Sequence, residues 1–437
     1  VNSTLVRGSD VPGRMAGPEG LPRLLAGVTA DGRPNSLASH VRRYGFAREA
    51  ARGEDLISLL EASGLTGRGG AEFPTGEKLR SVAAQRRRPV VLVNAAEGEP
   101  ASRKDRALLG ALPQLVLDGA VLAAEALRAK EIVVVVADNA KRGPSVVAEA
   151  VAEREQSGSD SRVAIRIVSV PTGFVTGEET ALIRFLNGGP AKPTFIPPRP
   201  FERGIGGAPT LVLNVETFAQ VALIARYGSD WFRELGTMRE PGSTLVTLTG
   251  AVQQPGVREI ALGSTFASLV DEAGGLTGPV SAFLVGGYFG TWLRTDTVLG
   301  LRLLDSDLRQ HGASLGARAI VALPAEACAM RELTRIVRYL ANESAGQCGP
   351  CVHGLAAIAE GLERVSAGRG DERERLARWV NEVRGRGACK HPDGATRFVS
   401  SALDVFGDEV RLHLRHGRCR RGRTVSVLPL PNTVESS

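Results

Sequence analysis

The chain has 437 residues, 43% hydrophobic and 23% charged, with a mean hydropathy of −0.03; this is ample apolar material for packed cores and excludes a disordered chain. Of its 54 basic residues 48 are arginine, and their excess over 47 acidic residues gives a net charge of +7, but with aromatics at 5% and no reading-head motif the skew does not point to a nucleic-acid partner. Five cysteines are too few, and odd in number, for a disulfide framework, and there is neither an apolar run of about 20 residues nor a charged-then-apolar leader; the expectation is a soluble, cytoplasmic protein with no membrane insertion.

Residues 1–45 are rich in Gly, Pro and Arg with little periodicity and read as an N-terminal arm laid over a neighbouring surface. Residues 46–240 alternate helix and strand. EDLISLLEASG is a helix that ends on Gly64, Pro89–Asn94 and Glu131–Ala137 are buried β-branched runs on either side of a helical stretch Gln114–Arg128, and Val163–Val170 alternates like a half-buried strand. Apolar runs between helices predict a mainly parallel sheet covered on both faces, with ligands at the carboxyl ends of its strands. Residues 241–320 form a separate α+β module: two strands around Gln-Pro-Gly, one helix and another strand. Helices dominate 321–415, the last of them running from Ala395 to Gly417, and 416–437 is a loose basic tail.

Glycine is the compositional outlier, at 52 residues, and its densest cluster is Gly67-Arg-Gly-Gly-Ala-Glu-Phe-Pro-Thr-Gly-Glu-Lys78. Clustered glycines let backbone N–H groups approach an anion, yet the loop is neither a dinucleotide fingerprint, because its sixth position is Glu72, nor a P-loop; a tight turn satisfies the pattern equally. The next strand leaves its sheet through Asn94-Ala-Ala-Glu97-Gly-Glu99, suited either to enter a helix or to hydrogen-bond a polyhydroxylated chain. Glu178 and Glu179 open another helix, where carboxylates ordinarily complement the dipole by about 0.3–1 kcal/mol each. Cys348-Gly-Pro-Cys351, with Cys389 further on, suits an iron–sulfur centre, zinc, or a scatter of buried thiols; Cys328 and Cys419 read as packing or incidental residues.

GRGGAEFPTGEKL, NAAEGEPASRKDR, GEETAL and GGAPTLVLNVETFA, in that order, resemble the flavin-bearing, NADH-oxidising subunit of respiratory complex I and its relatives in NAD-linked hydrogenases and formate dehydrogenases. The middle module resembles that family's β-grasp (SLBB) domain, and ESAGQCGPC its iron–sulfur signature. The resemblance implies an α/β fold in three parts: an FMN-binding parallel-sheet domain, the β-grasp module and a C-terminal helical bundle. It implies FMN, an iron–sulfur cluster ([4Fe–4S], or an incomplete three-iron form) and NAD(P)H as substrate, with electrons leaving through a small iron–sulfur or ferredoxin-like subunit. By position, Gly67, Arg68, Gly69 and Lys78 match the FMN phosphate site, and Asn94, Glu97, Glu99, Phe174, Gly177, Glu178 and Asn214 its further contacts. Glu99 and Glu179 match the nicotinamide-orienting carboxylates, Phe73 the dinucleotide side, and Cys348, Cys351 and Cys389 three cluster ligands.

Departures fall inside the motifs. Ala96 and Leu213 replace a carboxylate and an asparagine, each a polar contact of about 0.5–3 kcal/mol toward FMN. Glu72 replaces a glycine, placing bulk and negative charge beside the loop that NADH approaches; Ser81 and Arg199 replace aromatics, and an arginine there is compatible with NADPH. Ala345 replaces the first cluster cysteine, leaving His353, His391, Asp393, a partner or solvent to complete the site. The alternative reading is a paralogue that no longer oxidises NAD(P)H and serves as an electron relay, an assembly partner or a ligand-binding module.

Overall fold

A computed structural model describes residues 17–29, 32–47, 55–139, 143–158, 163–369, 373–417, 419 and 426–431. In chain order, the first part comprises α1 (Leu37–Tyr44), α2 (Leu56–Ser63), α3 (Thr75–Ala83), β1 (Val90–Ala95), α4 (Lys104–Ala111), α5 (Pro113–Ala126), β2 (Glu131–Ala137), α6 (Gly143–Ser157), β3 (Ala164–Val170), α7 (Glu179–Leu186), β4 (Thr210–Asn214) and α8 (Val215–Arg233). Its strands form a parallel sheet in the order β3-β2-β1-β4. Val91, Val93, Ile132, Val134 and Leu211 point to one face, under α5 and α8, while Val90, Leu92, Val133, Val135 and Val212 point to the other, under Leu182 and Ile183 of α7. Burial on both faces is why β1 and β2 read as unbroken apolar runs; β3, at the edge, keeps the alternation expected of it. Helices α5 and α8 approach so closely that a Cβ on Gly119 would lie 1.9 Å from the Phe218 carbonyl.

The second sheet holds β5 (Ser243–Gly250), β6 (Gly256–Ala261), β7 (Val280–Val285), β8 (Thr291–Arg294) and β9 (Ala319–Pro324) in the order β6-β5-β9-β7-β8, with α9 (Phe266–Glu272), α10 (Thr295–Val298) and α11 (Asp305–Leu308) between strands. It extends to Pro324 rather than ending near 320, and β8 and β9 are strands that the sequence pattern does not predict. The period of two sorts this sheet between neighbours: Phe283, Val285 and Ile320 face α9, whereas Leu284, Val321 and Leu323 face the helices that follow. Those are α12 (Ala329–Asn342), α13 (Leu355–Ser366), α14 (Arg373–Val383), α15 (His391–Val405) and α16 (Gly407–His416).

Three expectations are corrected. The region read as an extended arm of little periodicity contains α1, capped by Ser36 and burying only His40 and Tyr44, too few apolar positions to show a period; Leu24 before it is fully buried against the first domain's core. The final helix is two, broken at Phe406. The tail is packed where described: Leu428 is buried, the Val427 and Leu428 N–H groups donate to Glu332 (3.2 and 2.9 Å), and the Tyr288 hydroxyl donates to the Pro429 carbonyl. No single described helix is long and apolar enough to cross a membrane.

Candidate functional site

The carboxyl ends of β1 and β4 lie side by side, with Asn94 and Asn214 as register partners. Asn94 donates to the Gly177 carbonyl (2.8 Å) and accepts from the Ala96 N–H (3.1 Å). Asn214 caps α8 by accepting from Glu216 N–H (3.0 Å) and donates to Asp105 (2.5 Å). The glycine loop closes over this end: Gly67 N–H donates to the Phe73 carbonyl (2.9 Å), and a Cβ on Gly69 would stand 3.4 Å from that of Asn214. Lys78, one turn into α3, reaches Glu179 at the start of α7 (2.9 Å). Gly98 and Gly177 allow the strand-end loop and the segment before α7 to touch, since a Cβ on either would fall within 3 Å of a carbonyl of the other loop. All four sequence motifs therefore converge on one crevice.

Most of its polar side chains already hold backbone. Glu97 accepts from Ser102 Oγ (2.6 Å) and from the Asp105 and Arg106 N–H groups, so it opens α4; burial and Asp105 raise its carboxyl. Glu178 caps α7 through the Thr180 and Ala181 N–H groups, and burial raises it too. Glu99 accepts from Ala101 N–H (3.0 Å) and from Tyr288 N–H (2.8 Å) in the second sheet's β7–β8 turn; burial pushes its carboxyl up to about 7 against those two donors. The Phe174 ring meets Phe289, Tyr339 and His391 edge-on, and its N–H donates to Glu343 (2.9 Å).

Arg68 does not present its guanidinium to the crevice. It is 1% exposed, donates to Thr66 Oγ1 and the Ser243 carbonyl, and lies 3.9 Å from Glu216; burial, then the neighbouring Arg318, brings it down to about 10. Glu72 is likewise turned inward, onto Arg318 (3.1 Å), and burial and Asp305 push it up to about 8. Its φ of 52° is a left-handed conformation that favours glycine, which explains the glycine expected there. The buried ion pairs of Lys104 with Asp105 (2.6 Å) and Glu216 (3.0 Å) escape a reading of the sequence, because a lysine in a polar string reads as exposed. Of the residues that the resemblance matches to a dinucleotide side, Phe73 is 49% exposed, Arg199 is exposed, and Ser81 donates to its own helix at Glu77. Leu213 is buried in the core under α5 and α8.

A cavity of about 390 Å³ is lined by Cys348, Cys351, Cys389, Ala345 and, from the first domain, Arg184 and Thr194. Burial alone would raise Cys348; the Ala388 and Cys351 N–H groups and the Cys351 thiol outweigh it and lower its thiol, whereas burial pushes Cys351 up to about 12. Ala345 puts a methyl group where a fourth ligand is expected, and none of the three side chains considered as substitutes lines the cavity. His353 is exposed, His391 meets the Leu340 carbonyl (2.8 Å), and Asp393 accepts from Gly385 N–H and pairs with Lys390. The donor set fits a cluster held by three thiolates. The crevice fits a phosphate: α3 starts without a side-chain cap, and the buried Thr75 hydroxyl at its first position has no partner among the described residues.

Sheet, crevice and cavity together define a flavin- and iron–sulfur-bearing oxidoreductase component of the NADH dehydrogenase type. The Nuo51 FMN-binding domain matches residues 60–223, the SLBB domain 245–287, and the NADH-ubiquinone oxidoreductase-F iron–sulfur binding region 331–413. The F subunit of the NADH-quinone oxidoreductase of Mycobacterium tuberculosis (strain ATCC 25618 / H37Rv) is 35% identical over 84% of this chain and 86% of its own; that of Escherichia coli (strain K12) is 31% identical over the same shares. The chain belongs to this family of NADH-quinone oxidoreductase F subunits, whose cofactors are FMN and an iron–sulfur cluster and whose substrate is NADH. An NAD⁺-reducing [NiFe]-hydrogenase in the air-oxidised state superposes with TM-score 0.78 at 30% identity, over 86% of this chain and 65% of that longer one.

Proposed function

We propose that this chain takes hydride from NAD(P)H in the crevice at the ends of β1 and β4 and delivers single electrons, through the cysteine-lined cavity, to a small iron–sulfur or ferredoxin-like partner. One observation carries the reading: α7 brings Glu179 into the crevice at its first residue and Arg184 into the cavity wall five residues on, a rise of about 7–8 Å. Bound flavin supplies the conversion between a two-electron donor and one-electron acceptors. The Gly69 amide, the Thr75 hydroxyl and the Lys78 ammonium would hold its phosphate, in a loop that the Gly67 and Arg68 N–H groups pin to the Phe73 carbonyl and Thr217 Oγ1. Asn94, Gly177 and Asn214 set the crevice floor, Phe174 its wall, and Glu97 and Glu178 fix the loops that shape it; Arg68 supports the loop from beneath. Glu99, Glu179 and the exposed Phe73 orient the nicotinamide, and no side chain is required as a general acid.

Cys348, Cys351 and Cys389 hold the cluster, and its fourth position takes solvent or a partner's ligand. The test is an anaerobic titration of flavin-loaded protein with NADH and, separately, NADPH: bleaching of the flavin absorbance supports the reading, and no bleaching by either overturns it. The methyl group of Ala345 favours a second reading, a paralogue that no longer oxidises NAD(P)H. A purified chain without flavin or iron colour would support it.

A further inference from the structure

A second group of metal-ligating side chains lies at the other end of the helical bundle, where α12 begins and α16 ends. One ligand atom each from Cys328, Glu409, His413 and Cys419 falls within 4.8 Å of the other three. Glu409 and His413 are one helical turn apart, so they share a face of α16, and both are buried. Cys419 follows the left-handed Gly417 that ends the helix. Cys328 is the cap of α12, its Sγ accepting from Arg331 N–H (3.4 Å) at the start of a 14-residue helix.

The surroundings are arranged as a metal site requires. His413 Nδ1 faces the Ser366 carbonyl (2.8 Å), so that nitrogen carries the proton, and Nε2, left with its lone pair, points at Cys328 Sγ (3.3 Å). A ligating histidine tied through its other nitrogen to a carbonyl is the usual outer shell of a zinc site. One carboxylate oxygen of Glu409 accepts from Met330 N–H (3.3 Å), which fixes that ligand to the same turn of α12. We propose that Cys328, Glu409, His413 and Cys419 bind one structural zinc ion. Two sulfurs, one nitrogen and one oxygen complete a tetrahedron with no open position, so the ion is structural rather than catalytic. From this position it joins the start of α12 to the end of α16 and fixes the chain at Cys419, shortly before Val427 and Leu428 bond Glu332 of α12.

The test uses the full chain, purified anaerobically with zinc supplied and weakly held metal removed by mild chelation. About one zinc per chain is expected, with an X-ray absorption shell of two sulfurs at about 2.3 Å and two lighter atoms at about 2.0–2.1 Å. His413→Ala and Cys419→Ser should each lose that zinc while keeping iron and flavin, which shows that the chain still folds. Cys419→His, which keeps a ligand, should retain it, as should Cys348→Ser, whose thiol belongs to the other cavity. The assignment is overturned by a chain that retains no zinc, by a Cys328–Cys419 disulfide in its place, or by a three-sulfur zinc indifferent to Cys419→Ser.

Discussion

The strand-end crevice and the cysteine-lined cavity sit at opposite ends of α7 and are built on opposite plans. In the crevice the polar side chains are mostly committed, to backbone or to one another: Asn94 to the Gly177 carbonyl, Glu97 and Glu178 to helix amides, Lys78 to Glu179. In the cavity three thiols line an open space and a methyl group stands where a fourth donor is expected. The difference teaches that a flavin site of this kind is shaped by residues that position backbone, so a single loss is partly absorbed, whereas a cluster site depends on each donor directly.

The largest effect that separates the two is expected from Cys351→Ser, which should abolish iron binding, measured by iron and sulfide analysis, and leave flavin content unchanged. Parallel loss of both would break the comparison. Next in size, Asp118→Asn should destabilise the first domain by about 3–5 kcal/mol in chemical denaturation, because it strands the buried Arg154 and Arg226. Burial alone would raise Asp118, but Arg226, Arg154 and His40 hold it well below the carboxylate range. Its contribution is therefore full above the unfolded value of about 4 and lost as pH falls beneath it, and acid should unfold the crevice domain accordingly.

Lys78→Ala removes a charged donor of about 1.5–3 kcal/mol and is expected to weaken FMN binding roughly 10- to 150-fold in equilibrium dialysis, with iron content unchanged. Ala345→Cys supplies a thiolate for the fourth position and should slow the loss of iron in air; an unchanged rate of loss would mean that a methyl group is not what limits the cavity. The smallest effect is one of slope. Burial places Glu99 near 7, above the unfolded value of about 4.3, so its ionisation opposes folding and stability falls as pH rises between the two. Glu99→Gln should flatten stability against pH over that window.

The crevice was legible because its motifs are local strings whose order survives in the chain, and β1 and β2 because burial on both faces leaves an unbroken apolar signature. What the strings do not reveal is which way a side chain turns. Arg68 reads as a phosphate ligand and is buried beneath its own loop; Glu72 reads as a charge facing NADH and lies against Arg318. Each depends on β5 or on the segment before β9, which are distant in sequence.

The two cysteine groups mark the same boundary. Cys348-Gly-Pro-Cys351 announces itself, because two thiols three residues apart on one turn already face one ligand. Cys328 and Cys419 announce nothing, since only the packing of α16 on α12 brings them together with Glu409 and His413. By itself the sequence determined the parallel sheet, which rests on periodicity, and, through the resemblance its ordered motifs carry, the succession of flavin, β-grasp and iron–sulfur parts. The tertiary structure alone decided which charges are neutralised by partners, that the tail docks on α12, and that four scattered ligands share one point, because those depend on contacts made only when distant segments pack.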